Sequence, residues 1–300
     1  MIQTVRGIIT KEELGITMSH EHLLLDLRPV RHDEVSIIDD LELVSGELKP
    51  AIEMGCRSVI EVTTVDMGRN PEGLRELSKR TGINIITSTG FYLKDYHSDW
   101  LQKAPVKQLE DFFVKEITVG IDGTNIKAGA IGEVASSEKI YPSEQKVLTA
   151  AARASKRTNA AVFTHCDMGL LGLEQIDLML GQGMAPDKLV IGHTDLTADA
   201  DYQTEILRAG VNLAFDTVGK NNYLSDETRA EVLMRLLEAG WEDHLLLSED
   251  VSKQTYLINY GGRGYTAVLG YFVPLLCAKG VGEVQIRKML VENPARILDR

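Results

Sequence analysis

Five short apolar segments of this 300-residue chain each lead directly into side chains of types that bind metal ions. The segments are residues 16–18, 128–132, 161–164, 189–192 and 245–249, and the side chains at their ends are His20, His22, Glu133, His165, His193 and Asp250. A strand that ends in a ligand, repeated along one chain, is typical of a (β/α)8 barrel, because the active site of such a barrel lies where its strands end. Four histidines and two carboxylates are the right types, and the right number, to hold two divalent ions and a bridging hydroxide.

Short β-branched runs alternate with helical patterns along the chain, which predicts βα units and a parallel sheet. The eight candidate strands are residues 15–25, 58–64, 84–91, 128–135, 161–166, 189–195, 212–218 and 245–251. Between them, residues 143–157 and 225–239 show apolar side chains at three- and four-residue spacing and are predicted helices. We therefore expect an α/β fold, a (β/α)8 TIM barrel of the metal-dependent hydrolase type, as one domain over residues 1–300.

Two segments fall outside this alternation. Residues 1–14 are predicted to form a short N-terminal hairpin that precedes the barrel. Residues 90–106, which are rich in aromatic side chains, are predicted to form a loop after the third strand that could cover the mouth of the site.

Composition narrows the classes of partner. The chain is 44% hydrophobic and 25% charged, with a formal net charge of -12, so nucleic acid and anionic membrane surfaces are not expected as partners. No stretch of about 18 apolar residues is present, and the first residues carry no signal-peptide pattern. The three cysteines are an odd number without C-x-x-C spacing, which argues against a disulfide framework. We expect a cytoplasmic protein that acts on a small molecule; such barrels are commonly homodimers, but no segment identifies an interface.

The histidines carry the metal prediction jointly rather than singly. His20 and His22 are two residues apart on a strand, so both side chains point to the same face. One such pair could equally lie by chance on a surface loop, and His165 or His193 alone would more often be a hydrogen-bonded core histidine. Glu133 could bridge two ions through its two oxygens, with a salt bridge inside the barrel as the alternative. The recurrence of these residues at strand ends favours the metal site.

The last two strands suggest catalytic and substrate-binding groups. Asp250 ends strand eight, where an aspartate can bind one ion and also take a proton from water as a general base. Lys220, Lys253, Arg263 and Tyr265 follow strands seven and eight, whose loops often bind phosphate in barrel enzymes. They could hold a phosphate or carboxylate of an anionic substrate. That they are ordinary solvated loop residues remains the alternative.

Taken together, several stretches resemble the phosphotriesterase family of the amidohydrolase superfamily over essentially the whole chain. They are Met18-Ser19-His20-Glu21-His22, Gly132-Glu133, Thr164-His165, Gly192-His193-Thr194-Asp195, Ser248-Glu249-Asp250 and Glu292-Asn293-Pro294-Ala295-Arg296. The resemblance implies a (β/α)8 barrel with two divalent ions, usually Zn²⁺, with Mn²⁺ as the alternative. It implies that His20, His22 and Asp250 bind the more buried ion, that His165 and His193 bind the more exposed one, and that residue 133 bridges both.

The bridge separates the chain from the best-known members of that family. Organophosphate-degrading members and their lactonase relatives use a carboxylated lysine, whereas the matching residue here is Glu133, as in the branch of phosphotriesterase homology proteins. Lys127 lies too early in the strand to replace it. The stretch after strand seven, Phe215-Asp216-Thr217, also lacks the histidine that organophosphate enzymes carry there. Organophosphates are therefore not the expected natural substrates.

Three functions follow as hypotheses. The first is a binuclear metal-dependent hydrolase in which a metal-bridged hydroxide attacks an ester or lactone, for example a phosphorylated sugar lactone. The second is an amidohydrolase that acts on an N-acyl amino acid or a similar amide. The third, from a different class, is a metal-stabilised barrel that binds a small anion without turnover; it predicts a missing base, and the presence of Asp250 weighs against it.

Overall fold

The sheet that organises the molecule has eight parallel strands, which hydrogen-bond to one another in chain order. The structure, a computed structural model, describes residues 1–300. The strands are β1 (Ile16–Glu21), β2 (Cys56–Glu61), β3 (Asn84–Thr89), β4 (Ala130–Ser136), β5 (Val162–Cys166), β6 (Leu189–Ile191), β7 (Asn212–Phe215) and β8 (Leu245–Leu247). Each of these strands overlaps one of the eight predicted strands.

Hydrogen bonds from side chains and backbone connect β1 to β8 and the residues after it, so that the sheet curls into a barrel. Ser19 Oγ donates to the carbonyl oxygen of Leu247 at 3.0 Å, and the backbone N–H of His20 donates to Ser248 Oγ at 2.9 Å. The backbone N–H of Asp250 donates to the carbonyl oxygen of His20 at 3.2 Å. The predicted (β/α)8 barrel is confirmed, and the contact between its first and last strands occurs beside two of the predicted metal ligands.

Helices lie between the strands, as right-handed crossovers between parallel strands require. The main ones are α1 (Leu41–Glu53), α2 (Pro71–Thr81), α3 (Val106–Thr118), α4 (Pro142–Thr158), α5 (Gly172–Leu180), α6 (Ala200–Arg208), α7 (Asp226–Glu238) and α8 (Val273–Ala278). The predicted helices over residues 143–157 and 225–239 correspond to α4 and α7. Ser225 caps α7, because its hydroxyl accepts a hydrogen bond from the backbone N–H of Thr228 at 3.1 Å.

Shorter helical segments complete the chain. They are Lys11–Leu14, Arg28–Arg31, Asp99–Lys103, Glu283–Arg287 and Asn293–Leu298, with wider helical turns at Val268–Phe272 and Lys288–Glu292. The prediction of a loop over residues 90–106 is wrong in part, because this segment contains the helix Asp99–Lys103. Ser98 caps that helix by accepting the backbone N–H of Leu101 at 3.3 Å.

Two clusters of buried apolar side chains form the core of the barrel. The larger one fills the space around the sheet, against the helices, while a smaller one contains Ile60, Ile86 and Phe163. The antiparallel hairpin Ile2–Thr4 with Gly7–Ile9 contributes Ile2 to this smaller cluster. Apolar side chains thus pack one end of the barrel interior, while polar side chains gather where the strands end.

The later strands end earlier than the sequence predicts. Regular β6 stops at Ile191 and regular β8 at Leu247, because the chain turns immediately afterwards. His193 and Asp250 have left-handed backbone conformations, with φ of 62° and 50°. The predicted ligands at these ends therefore lie on the first residues of loops.

No helix of this protein is both long enough and apolar enough to cross a membrane. All three cysteines are free thiols, as expected; Cys56 and Cys166 are buried, and Cys277 is exposed.

Candidate metal centre

Glu133, on β4, is the carboxylate around which the four predicted histidine ligands gather. Its Oε2 lies 3.1 Å from His165 Nδ1, 3.3 Å from His20 Nε2 and 3.5 Å from His193 Nε2. Its Oε1 lies 3.3 Å from His22 Nε2. The Glu133 side chain is only 2% exposed, so one buried carboxylate contacts four imidazoles from three other strand ends.

Three overlapping groups of side chains offer nitrogen and oxygen atoms close enough to hold a metal ion. They are His20, His22 and Glu133; Glu133, His165 and His193; and His20, His193 and Asp216. Within each group the ligand atoms lie within 4.8 Å of one another. Glu133 belongs to the first two groups, which is the position a bridging carboxylate between two ions needs.

Asp216 is the member of these groups that sequence reasoning did not single out. Its Oδ1 accepts from the backbone N–H of His193 at 2.9 Å and lies 2.9 Å from His193 Nδ1, while its Oδ2 lies 3.1 Å from His20 Nδ1. Contacts at Nδ1 leave Nε2 of both imidazoles directed at Glu133. Its position directly after β7 was the available signal, since Asp250 likewise follows an apolar strand.

The carboxylates of this cluster raise the pKa values of neighbouring histidines and so favour positive charge in the site. Burial would lower the pKa of His20, but the carboxylates of Asp216 and Glu133 raise it to about 10. In the same way, burial is outweighed for His22, whose pKa is raised to about 9 by Asp250 and Glu133. Burial would raise the pKa of Asp216, yet His193 and His20 hold it well below its usual range. The three carboxylates therefore attract cationic charge into a buried place.

Further side chains contact two of the histidines, His22 and His165. His22 Nδ1 lies 2.9 Å from Thr63 Oγ1, and this hydroxyl donates to Glu61 Oε1 at 2.5 Å. This partner at Nδ1 fixes the orientation of the His22 imidazole, which is how metal-binding histidines are usually held. The hydroxyl of Tyr92 contacts His165, at 3.4 Å from Nδ1 and 3.5 Å from Nε2, without favouring either ring nitrogen.

Asp250 lies at the edge of the cluster, outside the three groups. Its Oδ1 is 3.2 Å from His22 Nε2, and its Oδ2 forms an ion pair with Lys220 Nζ. Burial would raise the pKa of Asp250, but Lys220 and His22 hold it well below its usual range. Asp250 is therefore a carboxylate at neutral pH, with one oxygen next to the cluster and the other paired to a lysine.

Glu21, the last residue of β1, lies between His20 and His22 in the sequence and supports the backbone of a neighbouring loop. Its Oε1 accepts from the backbone N–H of Glu249 at 2.7 Å and of Asp250 at 3.1 Å, and its Oε2 accepts from that of Val251 at 3.0 Å. Ser248 Oγ also donates to it at 2.6 Å. The middle residue of the His-Glu-His sequence thus anchors the loop that carries Asp250.

The donor set fits divalent ions. His20 Nε2 is buried, and its 3.3 Å contact with Glu133 Oε2 is not aligned as a hydrogen bond, although imidazole nitrogens shielded from water normally have such a partner. Imidazole nitrogens with carboxylate oxygens are the ligands of catalytic zinc sites, and they also suit other transition metals. Binding of ions would satisfy this nitrogen and balance the three carboxylates.

A cavity of about 180 Å³ opens directly above the cluster. His22, Glu133, His165, His193 and Asp250 line it, together with two of the predicted substrate-binding residues, Lys220 and Lys253. Its other lining side chains include Tyr92, which belongs to the aromatic segment 90–106 expected at the mouth of the site, and Arg31, which sequence reasoning did not identify because no periodic pattern marks it. The cavity is at the end of the barrel where the strands end, as predicted.

Arg263 and Tyr265 do not line this cavity, contrary to the sequence-based expectation. Arg263 Nη1 pairs with Asp226 Oδ2 at 3.2 Å, and its guanidinium stacks 4.2 Å from the ring centre of Tyr271. Tyr265 is fully buried, and its hydroxyl donates to the carbonyl oxygen of His22 at 2.8 Å. The glycine-rich loop therefore places Tyr265 in the packed interior, while Arg263 lines a neighbouring cavity of about 200 Å³ that shares Lys220 as a lining residue.

The three remaining histidines of the chain all lie outside the cluster. His97 is buried, with Nε2 2.9 Å from the carbonyl oxygen of Tyr92, and His244 Nδ1 lies 3.0 Å from that of Val211. His32 is exposed and ends the short helix Arg28–Arg31.

The whole chain has recognisable relatives. The sequence profile of the phosphotriesterase family matches residues 1–298. The phosphotriesterase homology protein of Escherichia coli K12 is 35% identical over 283 residues, which cover 94% of this chain and 97% of that protein. The N-acetyltaurine hydrolase of Danio rerio is 32% identical over an alignment of 339 residues, which covers 99% of this chain and 97% of that protein.

Solved structures agree with these sequences. The crystal structure of the Escherichia coli phosphotriesterase homology protein, complexed with phosphate in its active site, superposes with a TM-score of 0.94 at 34% identity, over 96% of this chain and 99% of that one. A lactonase from Listeria monocytogenes superposes with a TM-score of 0.94 at 29% identity, over 99% of this chain and 98% of that one. The barrel, the cluster around Glu133 and these similarities together show that the chain belongs to the phosphotriesterase family.

Proposed function

We propose that this protein is a hydrolase that depends on two divalent metal ions and cleaves an ester or lactone bond. The observation that carries the proposal is the position of Glu133, whose Oε1 contacts His22 and whose Oε2 contacts His20, His165 and His193. Zinc is the proposed metal, because four imidazoles and a carboxylate suit it, with manganese as the alternative.

The chemistry divides between the ions and the protein. Two divalent ions in this cluster would activate a water molecule and polarise the carbonyl group of the substrate. Asp250 takes the proton from the attacking water, whose oxygen forms the new bond to the carbonyl carbon. The bond from that carbon to the leaving oxygen breaks, and the proton passes to this oxygen. Lys220 keeps Asp250 ionised before the step begins.

A second candidate function is hydrolysis of an amide that carries an acyl group on nitrogen. The N-acetyltaurine hydrolase similarity over nearly the whole chain favours it. The same residues would act in the same order, with a leaving nitrogen in place of the leaving oxygen. The lactonase similarity supports the first candidate, so a panel of substrates must separate them.

The test is activity of zinc-loaded and manganese-loaded protein on phosphorylated sugar lactones, plain lactones, N-acyl amino acids, N-acetyltaurine and paraoxon. Turnover of lactones supports the first candidate, and turnover only of N-acyl compounds replaces it with the second. Stoichiometric metal with turnover of none of these would instead favour a barrel that binds small anions without catalysis.

Glu133→Gln tests the bridge directly. The amide keeps the size of the side chain but removes the charge that two cations share, so the bound metal should fall from about two ions per chain to about one or fewer. Glu138→Gln is the matched control, because Glu138 is exposed. Unchanged metal content in Glu133→Gln, measured by elemental analysis, would mean that the bridge lies elsewhere.

A further inference from the structure

Arg31 is a cation in the cavity that neither the metal cluster nor an ion pair accounts for. It ends the short helix Arg28–Arg31, which follows β1, and it lines the cavity beside Leu27 and Tyr92. Its Nη1 is shielded from solvent and has no hydrogen-bond partner in the protein. A guanidinium nitrogen in such a position normally has a partner, because its desolvation is costly.

The surroundings keep Arg31 charged. Burial would lower its pKa, but Tyr92, Tyr96 and the carboxylate of Asp250 raise it above its usual value, and the hydroxyl of Tyr96 also accepts a hydrogen bond from the guanidinium. Arginine presents a planar fork of donors that matches the two oxygens of a carboxylate, a sulfonate or a phosphate. The unpartnered Nη1 of Arg31 therefore suits an anionic group with acceptor oxygens.

A second cation comes from the neighbouring loop. Lys253 follows β8, which is next to β1 in the closed barrel, and it lines the same cavity. The backbone N–H of Gln254 donates to the carbonyl oxygen of Val35 at 2.9 Å, which ties the two loops together. The charges of Arg31 and Lys253 thus enter one cavity from loops that are fixed to each other.

The other cations near the site are already engaged. Lys220 pairs with Asp250, and Arg263 pairs with Asp226 outside the cavity. Of the cations considered, Arg31 has the buried donor without a partner, and Lys253 lines the same cavity.

We propose that Arg31, assisted by Lys253, binds an anionic group of the substrate at the β1 side of the cavity while the scissile bond lies over the metal cluster. This inference rests on the proposed function, because it assigns the anion to a substrate of that site. The substrate class is accordingly an ester, lactone or amide that carries a carboxylate, sulfonate or phosphate group.

The experiment compares substrates that differ only in the anionic group. For amides the pair is N-acetyltaurine and N-acetylethanolamine; for lactones it is a sugar-phosphate lactone and the same lactone without phosphate. Arg31→Gln should lower the ratio of kcat/KM for the anionic over the neutral member by about 10- to 100-fold, mainly through KM, because a charge-assisted hydrogen bond is lost. Arg31→Lys should restore part of that ratio.

Arg28→Gln is the matched control. Arg28 lies on the same short helix, but its guanidinium pairs with Asp26 and does not line the cavity. It should leave the ratio within about twofold of the unmodified protein. An equal loss of the ratio in both variants, or an unchanged ratio in Arg31→Gln, would overturn the assignment of Arg31.

Calorimetric titration separates this inference from the proposed function. If the metal-loaded protein hydrolyses neither pair, N-acetyltaurine and N-acetylethanolamine are titrated as ligands. Weaker binding of N-acetyltaurine by Arg31→Gln, with binding by Arg28→Gln unchanged, would support the anion subsite although the proposed function had failed. Equal affinities of the unmodified protein for the two compounds, or equal losses in both variants, would overturn the subsite.

Discussion

At the scale of single residues, the contacts of Asp250 divide its two oxygens between two tasks. One oxygen faces His22 at 3.2 Å, and the other pairs with Lys220. An asparagine at this position can still contact both neighbours, but it cannot accept a proton from water. Asp250→Asn should therefore fold normally and keep most of its metal, while kcat falls by about 100- to 10,000-fold.

Steady-state kinetics and elemental analysis of Asp250→Asn check this together. Ser252→Ala is the comparison, because Ser252 follows in the same loop and contacts Lys220 only at 3.4 Å. An Asp250→Asn enzyme with nearly full kcat would remove Asp250 from the role of base.

Asp216 acts on the metal site through histidines rather than by itself receiving a proton. It orients His20 and His193 through their Nδ1 atoms and through the backbone N–H of His193. Asp216→Asn removes the charge that supports both imidazoles, so we expect metal affinity to fall about 10- to 100-fold.

Competition with a chromogenic chelator measures that affinity. Asp33→Asn serves as control, because Asp33 accepts from Ser36 on a loop and contacts none of the imidazoles. Equal zinc affinities of Asp216→Asn and the control would show that Asp216 does not orient the ligands.

At the scale of elements, α7 is tied to the loops after β6 and β7 through a buried arginine. Arg229 Nε donates to Asp195 Oδ2 at 2.6 Å, its Nη1 to Asp226 Oδ1 at 2.6 Å, and its Nη2 to Thr217 Oγ1 at 2.9 Å. Removal of the arginine would leave Asp195 buried without its cation. Arg229→Leu should therefore lower the free energy of unfolding by about 3–5 kcal/mol.

Arg263 provides a comparison within the same ion-pair cluster. It also pairs with Asp226, but its side chain is 41% exposed, so Arg263→Ala should cost less than about 1 kcal/mol. Denaturant unfolding of the two variants tests the contrast. Similar losses of stability would mean that burial does not decide the strength of these pairs.

The elements also show what a sequence can predict here. The strands were predictable because their apolar, β-branched runs repeat, and a side chain after each run must lie at the same end of the barrel. That reasoning located His20, His22, Glu133, His165 and His193. It could not find Arg31, because a cation on a loop enters a cavity only through the path of the backbone, which no periodicity encodes. It placed Arg263 wrongly for the same reason.

At the scale of the whole molecule, the barrel brings charges from distant parts of the chain into one buried place. Four imidazoles and the carboxylates of Glu133, Asp216 and Asp250 meet there. Without metal, these carboxylates keep His20 and His22 protonated, and with metal the same imidazoles must lose their protons to act as ligands. Stability and metal binding should therefore depend on pH in opposite directions.

The direction in which the stability of the metal-free protein changes with pH follows from the raised pKa values. In the metal-free fold the pKa of His20 is raised to about 10 and that of His22 to about 9, while both are ordinary, near 6.5, in the unfolded chain. The stabilisation that these ion pairs give is fully present below about pH 6.5 and is lost as the pH rises through 9 and 10. For His22 the loss is on the order of 3 kcal/mol.

Metal-loaded protein should not suffer this loss, because the ions replace the protons. The difference in Tm between zinc-loaded and chelator-treated protein should therefore widen between pH 6 and pH 9, by roughly 5 °C or more. Differential scanning calorimetry across that range measures it, with His32→Gln as a control that keeps the widening, since His32 is exposed and outside the cluster. A difference in Tm that stays constant or narrows toward pH 9 would mean that protons and metal ions do not compete for these imidazoles.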